Sequence, residues 1–284
     1  MSERYRIVTL RLGELYLPHG AGLVRDPVHA WLIQGGGRNI LFDSGMAEMA
    51  QVTPRMRIGG IGGGPASVSA ALAAEGLRAA DIDTVILSHL HFDHADNLAL
   101  FAHAALVVQR AELAAAIDPV PSQRIFYWKS TVQYLIGLKR PAQLRVVDGD
   151  TDLLPGLTLL LVPSHSEGMQ VAIVATEKGK VGLVSDLGDH YRYWFPADPR
   201  ATDQPQRSLS GDFLTSPIRT ASERDWQAAM RRVQRACDIV VPAHDFRIPR
   251  EIPRDWFAIP ASTNDDLAHC PPDVAAERQT GATP

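Results

Sequence analysis

The sequence predicts an α/β fold in which several strands carry polar side chains to one common edge. Four short apolar runs bounded by turn residues read as buried strands: Thr84-Val85-Ile86-Leu87, Leu157-Thr158-Leu159-Leu160-Leu161-Val162, Val181-Gly182-Leu183-Val184 and Asp238-Ile239-Val240-Val241. Stretches of helix-forming composition at 66–77, 110–117 and 222–236 are interspersed with them. Each of the four runs leads directly into histidine or aspartate: Ser88-His89-Leu90-His91-Phe92-Asp93-His94, Pro163-Ser164-His165, Ser185-Asp186 and Pro242-Ala243-His244-Asp245.

Composition sets the outer limits. A chain of 284 residues suits one α/β domain with a full core, and 45% hydrophobic with 21% charged residues are globular values. A formal net charge of -4 offers no basic footprint for nucleic acid. Cys237 and Cys270 are too few for a disulfide framework, which points to a reducing compartment, and Cys237 reads as a small core hydrophobe at a helix end. No run approaches the roughly 18 apolar residues needed to span a bilayer, and the N-terminus leads into a strand-like run. A soluble, cytoplasmic protein with neither membrane nor nucleic-acid partner is expected, and a homodimer is left open.

Taken in order, Tyr5-Arg6-Ile7-Val8-Thr9-Leu10, His29-Ala30-Trp31-Leu32-Ile33-Gln34 and Asn39-Ile40-Leu41-Phe42 read as an antiparallel meander. Gly35-Gly36-Gly37 is its second turn; a phosphate cradle would need a helix next, and a strand follows. Asp43 is either a plain turn residue or a carboxylate that orients a metal-binding imidazole. Residues 46–65, rich in Met, Gly and Pro, are expected as a mobile surface segment and a candidate flap. The helix at 66–77 presents Val68 and Leu72 to a sheet and stops at Gly76. A strand at 105–109 precedes the helix at 110–117. Residues 119–141 form an insertion whose Phe126, Tyr127, Trp128 and Tyr134 serve as core or as a pocket wall, and 193–217 reads as a long functional loop. Ser222 and Asp225 stand at N-cap spacing before an amphipathic helix through Trp226, Met230 and Val233. One domain over 1–265 and a C-terminal tail over 266–284 are expected. His19, His29, His103 and His269 read as ordinary residues, whereas His190 is set apart because it follows Asp186 so closely.

The crowding of three imidazoles and one carboxylate into residues 89–94 makes sense mainly around metal, since these are the ordinary ligands of zinc and related divalent ions. A His-rich exposed loop is the bland alternative. One loop cannot close two metal sites, so the recurrence of His165, Asp186 and His244 at strand ends is the more specific signal. The loop His89-x-His91-x-Asp93-His94, followed in order by His165, Asp186 and His244, resembles the metallo-β-lactamase superfamily of dinuclear metallohydrolases over about residues 39–245. Ser88-His89-Leu90-His91-Phe92-Asp93-His94 and Ala243-His244-Asp245 are most similar to its N-acyl homoserine lactonase branch. Two positions depart from that pattern. Met169 stands where many relatives carry a second His, and Asp189 stands where lactonases place a tyrosine, with His190 and Tyr191 just after.

The resemblance implies the metallo-β-lactamase fold, a four-layer αβ/βα sandwich with ligands along one edge of two facing sheets. It also implies two divalent ions, zinc by default: His89, His91 and His165 on one, Asp93, His94 and His244 on the other, with Asp186 and a hydroxide bridging. Water on such a centre has its pKa lowered from 15.7 to about 7. The expected function is that of a metal-dependent hydrolase, a quorum-quenching lactonase that opens a small, partly apolar cyclic ester such as an N-acyl homoserine lactone. Asp93 or Asp186 would pass a proton to the leaving alkoxide, and Tyr191 would reach the carbonyl. A cyclic amide, a β-lactam or a thioester suits the same centre. A non-catalytic metal-binding or regulatory protein is the alternative of another class. The roughly 40 residues after His244 are too few for the glutathione domain of hydroxyacylglutathione hydrolases, and an RNase Z would need a basic surface.

Overall fold

The computed structural model describes residues 3–19, 22–138, 143–203 and 213–257. The middle of the expected 193–217 loop, the end of the 119–141 insertion and the 266–284 tail lie outside them. Two mixed sheets face each other. The first contains β1 (Arg6–His19), β2 (Gly22–Gly35), β3 (Arg38–Phe42), β4 (Gly59–Gly62), β5 (Thr84–Ile86), β6 (Ala105–Gln109) and β7 (Leu144–Val147), in the order β4-β1-β2-β3-β5-β6-β7. The second contains β8 (Thr151–Leu154), β9 (Leu157–Leu161), β10 (Gln170–Thr176), β11 (Gly179–Ser185) and β12 (Ile239–Pro242), in the order β12-β11-β10-β9-β8.

A side-chain period of two sorts each strand between layers. Trp31, Ile33, Ile40, Phe42, Ile86 and Val107 of the first sheet meet Leu157, Leu159, Ala172, Val174, Val181, Leu183, Ile239 and Val241 of the second, forming the central core. Their alternate neighbours Leu32, Leu41, Val85 and Leu106 point the other way, onto α2 (Gly64–Ala73), α3 (Arg110–Ile117) and α4 (Lys129–Ile136) through Val68, Leu72, Ala115 and Leu135. On the opposite side, Val171, Ile173, Val184 and Val240 pack against α5 (Tyr191–Trp194) and α6 (Glu223–Ala236), chiefly through Trp194, Trp226, Met230 and Val233. The layers are therefore helix, sheet, sheet, helix. That is the four-layer sandwich of the metallo-β-lactamase fold.

The meander is present, and its second turn uses Gly36 and Gly37 at φ +57° and +70°, the paired positive values of a tight hairpin. Cys237 is buried at the end of α6, where burial pushes its thiol up to about 12. No helix among the described residues is long and apolar enough to cross a membrane. One expectation is corrected: residues 46–65 are not a loose flap. They form α1 (Met49–Met56) and the edge strand β4, and Met46, Ala47 and Val52 pack in a satellite cluster with Leu15, Val28, Phe92 and Trp128. The glycines that suggest mobility instead permit close approach. A Cβ on Gly62, at φ +75°, would lie 2.8 Å from the Leu12 carbonyl oxygen.

Ser222 caps α6, its Oγ accepting the Asp225 N–H at 3.2 Å. Ser222→Ala should lower the unfolding free energy by about 1 kcal/mol, read by denaturant titration, without loss of metal binding.

Candidate metal centre

Strand direction brings the polar residues together. β3 and β5 run parallel in the first sheet; in the second, β10 lies antiparallel to both β9 and β11, while β12 runs parallel to β11. Asp43 follows β3, His89 follows β5, His165 follows β9, Asp186 follows β11 and His244 follows β12. All of these follow C-terminal strand ends, and the two sets meet at one edge of the sandwich.

Asp186 sits at the middle. Its Oδ2 is 3.3 Å from His165 Nε2 and 3.9 Å from His89 Nε2, while its Oδ1 is 3.3 Å from Nε2 of both His94 and His244. His165 Nε2 lies 3.0 Å from His91 Nδ1, and His94 Nε2 lies 3.2 Å from His244 Nε2. Asp93 Oδ2 stands 3.7 Å from His244 Nε2 and 3.8 Å from His94 Nε2. Ligand atoms of His89, His91 and His165 lie within 4.8 Å of one another, as do those of Asp93, His94 and His244, and those of His89, His94 and Asp186. All seven ligand candidates thus converge.

The outer ring nitrogens decide what this convergence means. His94 Nδ1 donates to Asp43 Oδ2 at 3.0 Å, His165 Nδ1 to the Ile218 carbonyl at 2.9 Å, and His244 Nδ1 to the Pro27 carbonyl at 2.8 Å. A neutral ring that donates from Nδ1 presents a lone pair at Nε2. His94 and His244 bring their Nε2 atoms to 3.2 Å, a spacing that needs a proton or a cation between two lone pairs. His165 Nε2 and His91 Nδ1 approach as closely, and His89 Nε2, His91 Nε2 and Asp186 Oδ1 are buried without a hydrogen-bond partner. The donor set fits divalent ions: three imidazoles on one side, two imidazoles and Asp93 on the other, Asp186 offering one oxygen to each.

Charge tells the same story. Burial, with neighbouring imidazoles, holds His89 and His91 well below the usual histidine range. Burial also acts to lower His94 and His244, but Asp186 and Asp93 more than reverse it, leaving His94 well above its ordinary value and His244 at about 9. For the Asp186 carboxyl, burial works upward while His94, His244 and His165 prevail and hold it well below the carboxylate range. The carboxylates draw positive charge to the centre of the cluster.

Supporting residues fix the ligands. Asp43 accepts the Ser88 N–H at 2.7 Å and the Ser88 hydroxyl at 2.8 Å as well as His94, so of its two readings the orienting one holds. Asp43, Asn97 and Ser185 all take positive φ, at +65°, +62° and +47°, and all lie against the metal loop. His29 donates from Nδ1 to the Ala243 carbonyl at 2.7 Å, beside His244, and burial lowers it to about 4. Phe126 and Tyr127 lie 5.0 and 4.8 Å from the His91 ring, while Trp128 stacks on Phe92; the aromatic insertion supplies both core and the wall of the centre.

His190 stands between Asp26 Oδ1, 3.1 Å from Nε2, and Asp189 Oδ1, 3.2 Å from Nδ1. Neither ion-pair contact is an aligned hydrogen bond. Burial would lower His190, yet Asp189 and Asp26 raise it to about 10. Tyr191 is not brought to the centre, which corrects the expectation that it reaches a substrate carbonyl. The ring is fully buried in the core between the sheets, stacked 3.9 Å from Phe257, and its hydroxyl accepts the Trp256 indole N–H at 2.8 Å. Its apolar body is worth more against Phe257 than at a wet rim. Sequence reasoning missed His29, Asp26, Ser185 and the buried Glu112. None of these lies in a recognisable spacing.

The fold and the site define a class: four-layer sandwiches with a His- and Asp-rich metal centre at one sheet edge. The model of the Metallo-beta-lactamase superfamily matches residues 23–244, and the chain belongs to that superfamily. It is 30% identical over 171 residues to an N-acyl homoserine lactonase of Bacillus cereus, an alignment covering 57% of this chain and 64% of that enzyme, just under two thirds of its length. In structure it is similar to an AiiA mutant of Bacillus thuringiensis with N-decanoyl-L-homoserine bound at the active site, with TM-score 0.65 and 21% identity over 87% of this chain and 95% of that one. A second similar structure is AidC, a dizinc quorum-quenching lactonase in complex with the product N-hexanoyl-L-homoserine, with TM-score 0.55 and 18% identity over 78% and 74% of the two chains.

Because Asp43 holds the proton of His94 on Nδ1, its loss should release that ring. Asp43→Asn, which tolerates the positive φ, should weaken metal binding about 10–100-fold in a chelator competition while leaving the circular dichroism spectrum unchanged.

Proposed function

We propose that the chain is a metal-dependent lactonase that opens an N-acyl homoserine lactone or a similar cyclic ester with a small, partly apolar body. The observation that carries this reading is the position of Asp186, one oxygen toward His89 and His165 and the other toward His94 and His244. The relatives named as N-acyl homoserine lactonases support the substrate class. When bound, a pair of divalent ions, zinc by default, would supply Lewis acidity toward a carbonyl and lower the pKa of a water to about 7. His89, His91 and His165 would hold one ion, Asp93, His94 and His244 the other, and Asp186 would join them.

The residues around them do the rest. Asp93 has a side chain 14% exposed against 8% for Asp186, so Asp93 is the carboxylate placed to take a proton and return it to the departing alkoxide. Asp186, enclosed by four imidazoles, serves mainly to hold charge. Phe126 and Tyr127 keep water from the back of the His91 ring and offer an apolar surface beside the centre. Few cysteines accord with a cytoplasmic setting.

A second reading, hydrolysis of a cyclic amide or thioester on the same centre, is favoured by one observation. Asp189, paired with His190, occupies the position where the lactonases resembled here place a tyrosine. A pH-indicator assay over lactone, cyclic amide, thioester and phosphodiester panels separates the readings. Lactone turnover is expected, abolished by a chelator and restored by zinc or manganese, and turnover of a cyclic amide or thioester alone would move the assignment to the second reading. His91→Ala or Asp186→Ala should lower kcat/KM by at least about 100-fold with loss of bound metal. Undiminished turnover with unchanged metal content would sink both readings.

A further inference from the structure

We propose that Glu112 is a positioning residue for one half of the metal centre: a buried carboxylate that locks together the three chain segments bearing or backing His89, His91 and His165. The proposal rests on the dinuclear reading and adds to it a residue that touches neither metal nor substrate.

Glu112 lies in the first turn of α3 and is fully buried. Its Oε1 accepts the Leu90 N–H at 2.8 Å and the Tyr127 hydroxyl at 2.9 Å; its Oε2 accepts the Ser166 hydroxyl at 2.7 Å and the Gly168 N–H at 3.1 Å. The donors are not scattered over the core. Leu90 is the residue between His89 and His91, Ser166 follows His165, and Tyr127 lies edge-on to the His91 ring and bridges to it through the backbone. Three of the four donors stand beside a ligand of the same cluster, Gly168 lies three residues after His165, and none adjoins His94, Asp186 or His244. Gln123, from the aromatic insertion, adds a bond from Nε2 to the His165 carbonyl at 3.2 Å.

The chemistry of the group matters as much as its place. An ionised carboxylate has about four lone-pair sites and no donor of its own, and here four donors fill them. A glutamine would turn an NH2 toward part of this ring of donors. The Ser166 hydroxyl can rotate to accept from it, whereas the Gly168 N–H cannot. A second feature shows how closely the parts are fitted. A Cβ on Gly168 would fall 1.9 Å from the Glu112 backbone nitrogen, so the loop after His165 reaches α3 only because residue 168 is glycine. The consequence is a selective one: releasing Glu112 should loosen the His89, His91 and His165 half and leave the Asp93, His94 and His244 half, which Asp43 and the Pro27 carbonyl hold, largely as it was.

The test is a chelator competition that resolves the affinities of the two zinc ions in wild type, Glu112→Gln, Tyr127→Phe and Leu72→Ala, together with the visible spectrum of each protein loaded with cobalt. Tyr127→Phe keeps the ring against His91 and removes one donor to Glu112, so it carries the test should Glu112→Gln not fold. Leu72→Ala opens a cavity on α2 away from Glu112 and controls for loss of stability alone. Glu112→Gln is expected to weaken one of the two ions about 10–100-fold, with the other within about threefold, and to change the cobalt spectrum. Tyr127→Phe should weaken the same ion by less, and Leu72→Ala should change neither affinity. Unchanged affinities in both Glu112→Gln and Tyr127→Phe, or equal weakening of both ions, overturns the proposal while leaving the dinuclear reading intact. A wild-type protein that binds fewer than two ions overturns both.

Discussion

The fold is arranged around a crowding of imidazole nitrogens, 3.0 and 3.2 Å apart in a place nearly closed to water, that needs protons or cations between them. Such an arrangement is unfavourable in a bare polypeptide, because each buried acceptor loses its hydrogen bond to solvent and gains nothing in return. It is tolerated because Asp186 and Asp93 set negative charge beside it and because Asp43 and the Ile218 and Pro27 carbonyls hold a proton on Nδ1 of His94, His165 and His244. The sandwich supplies what side chains alone cannot, two rigid sheets that hold the donors at the distance a divalent cation requires.

This explains the division between what the sequence revealed and what it concealed. The seven ligand candidates were legible because each follows a short apolar run, and strands that end at one edge deliver their next residues to one place. The layers were legible as well, because Trp31, Ile33, Ile40 and Phe42 alternate with Ala30, Leu32 and Leu41 at a period of two. Glu112, His29 and Asp26 were not legible. Their partners lie 15 to more than 200 positions away in the chain, and an isolated Glu or His carries no periodic signature. Tyr191 failed for the opposite reason. Proximity to Asp186 in sequence suggested proximity in space, but a helical turn starting at Tyr191 directs the ring into the core. The 46–65 segment shows the same weakness, since glycine permits both mobility and close packing and composition alone does not choose between them.

The two halves of the centre are braced by different means. On one side, Asp43 reaches from the first sheet to His94, and the Pro27 carbonyl holds His244. On that same side, the Asp26, His190 and Asp189 contacts tie the segment before Pro27 to the segment after Asp186, and the Asp189 carbonyl accepts the His244 N–H at 2.8 Å. On the other side, Glu112 gathers three loops. Positive φ values at Asp43, Asn97 and Ser185 mark where the backbone bends away from its preferred angles so that these supports meet.

Gly59–Gly62 borders the seven-stranded sheet, and its consequence reaches beyond the centre. An outermost strand normally offers a row of unpaired amides and carbonyls that invites a foreign chain to add on. Here that outermost strand is only four residues long, Gly-Gly-Ile-Gly. The shortness of that outermost strand therefore limits how many backbone hydrogen bonds an added chain could make along it.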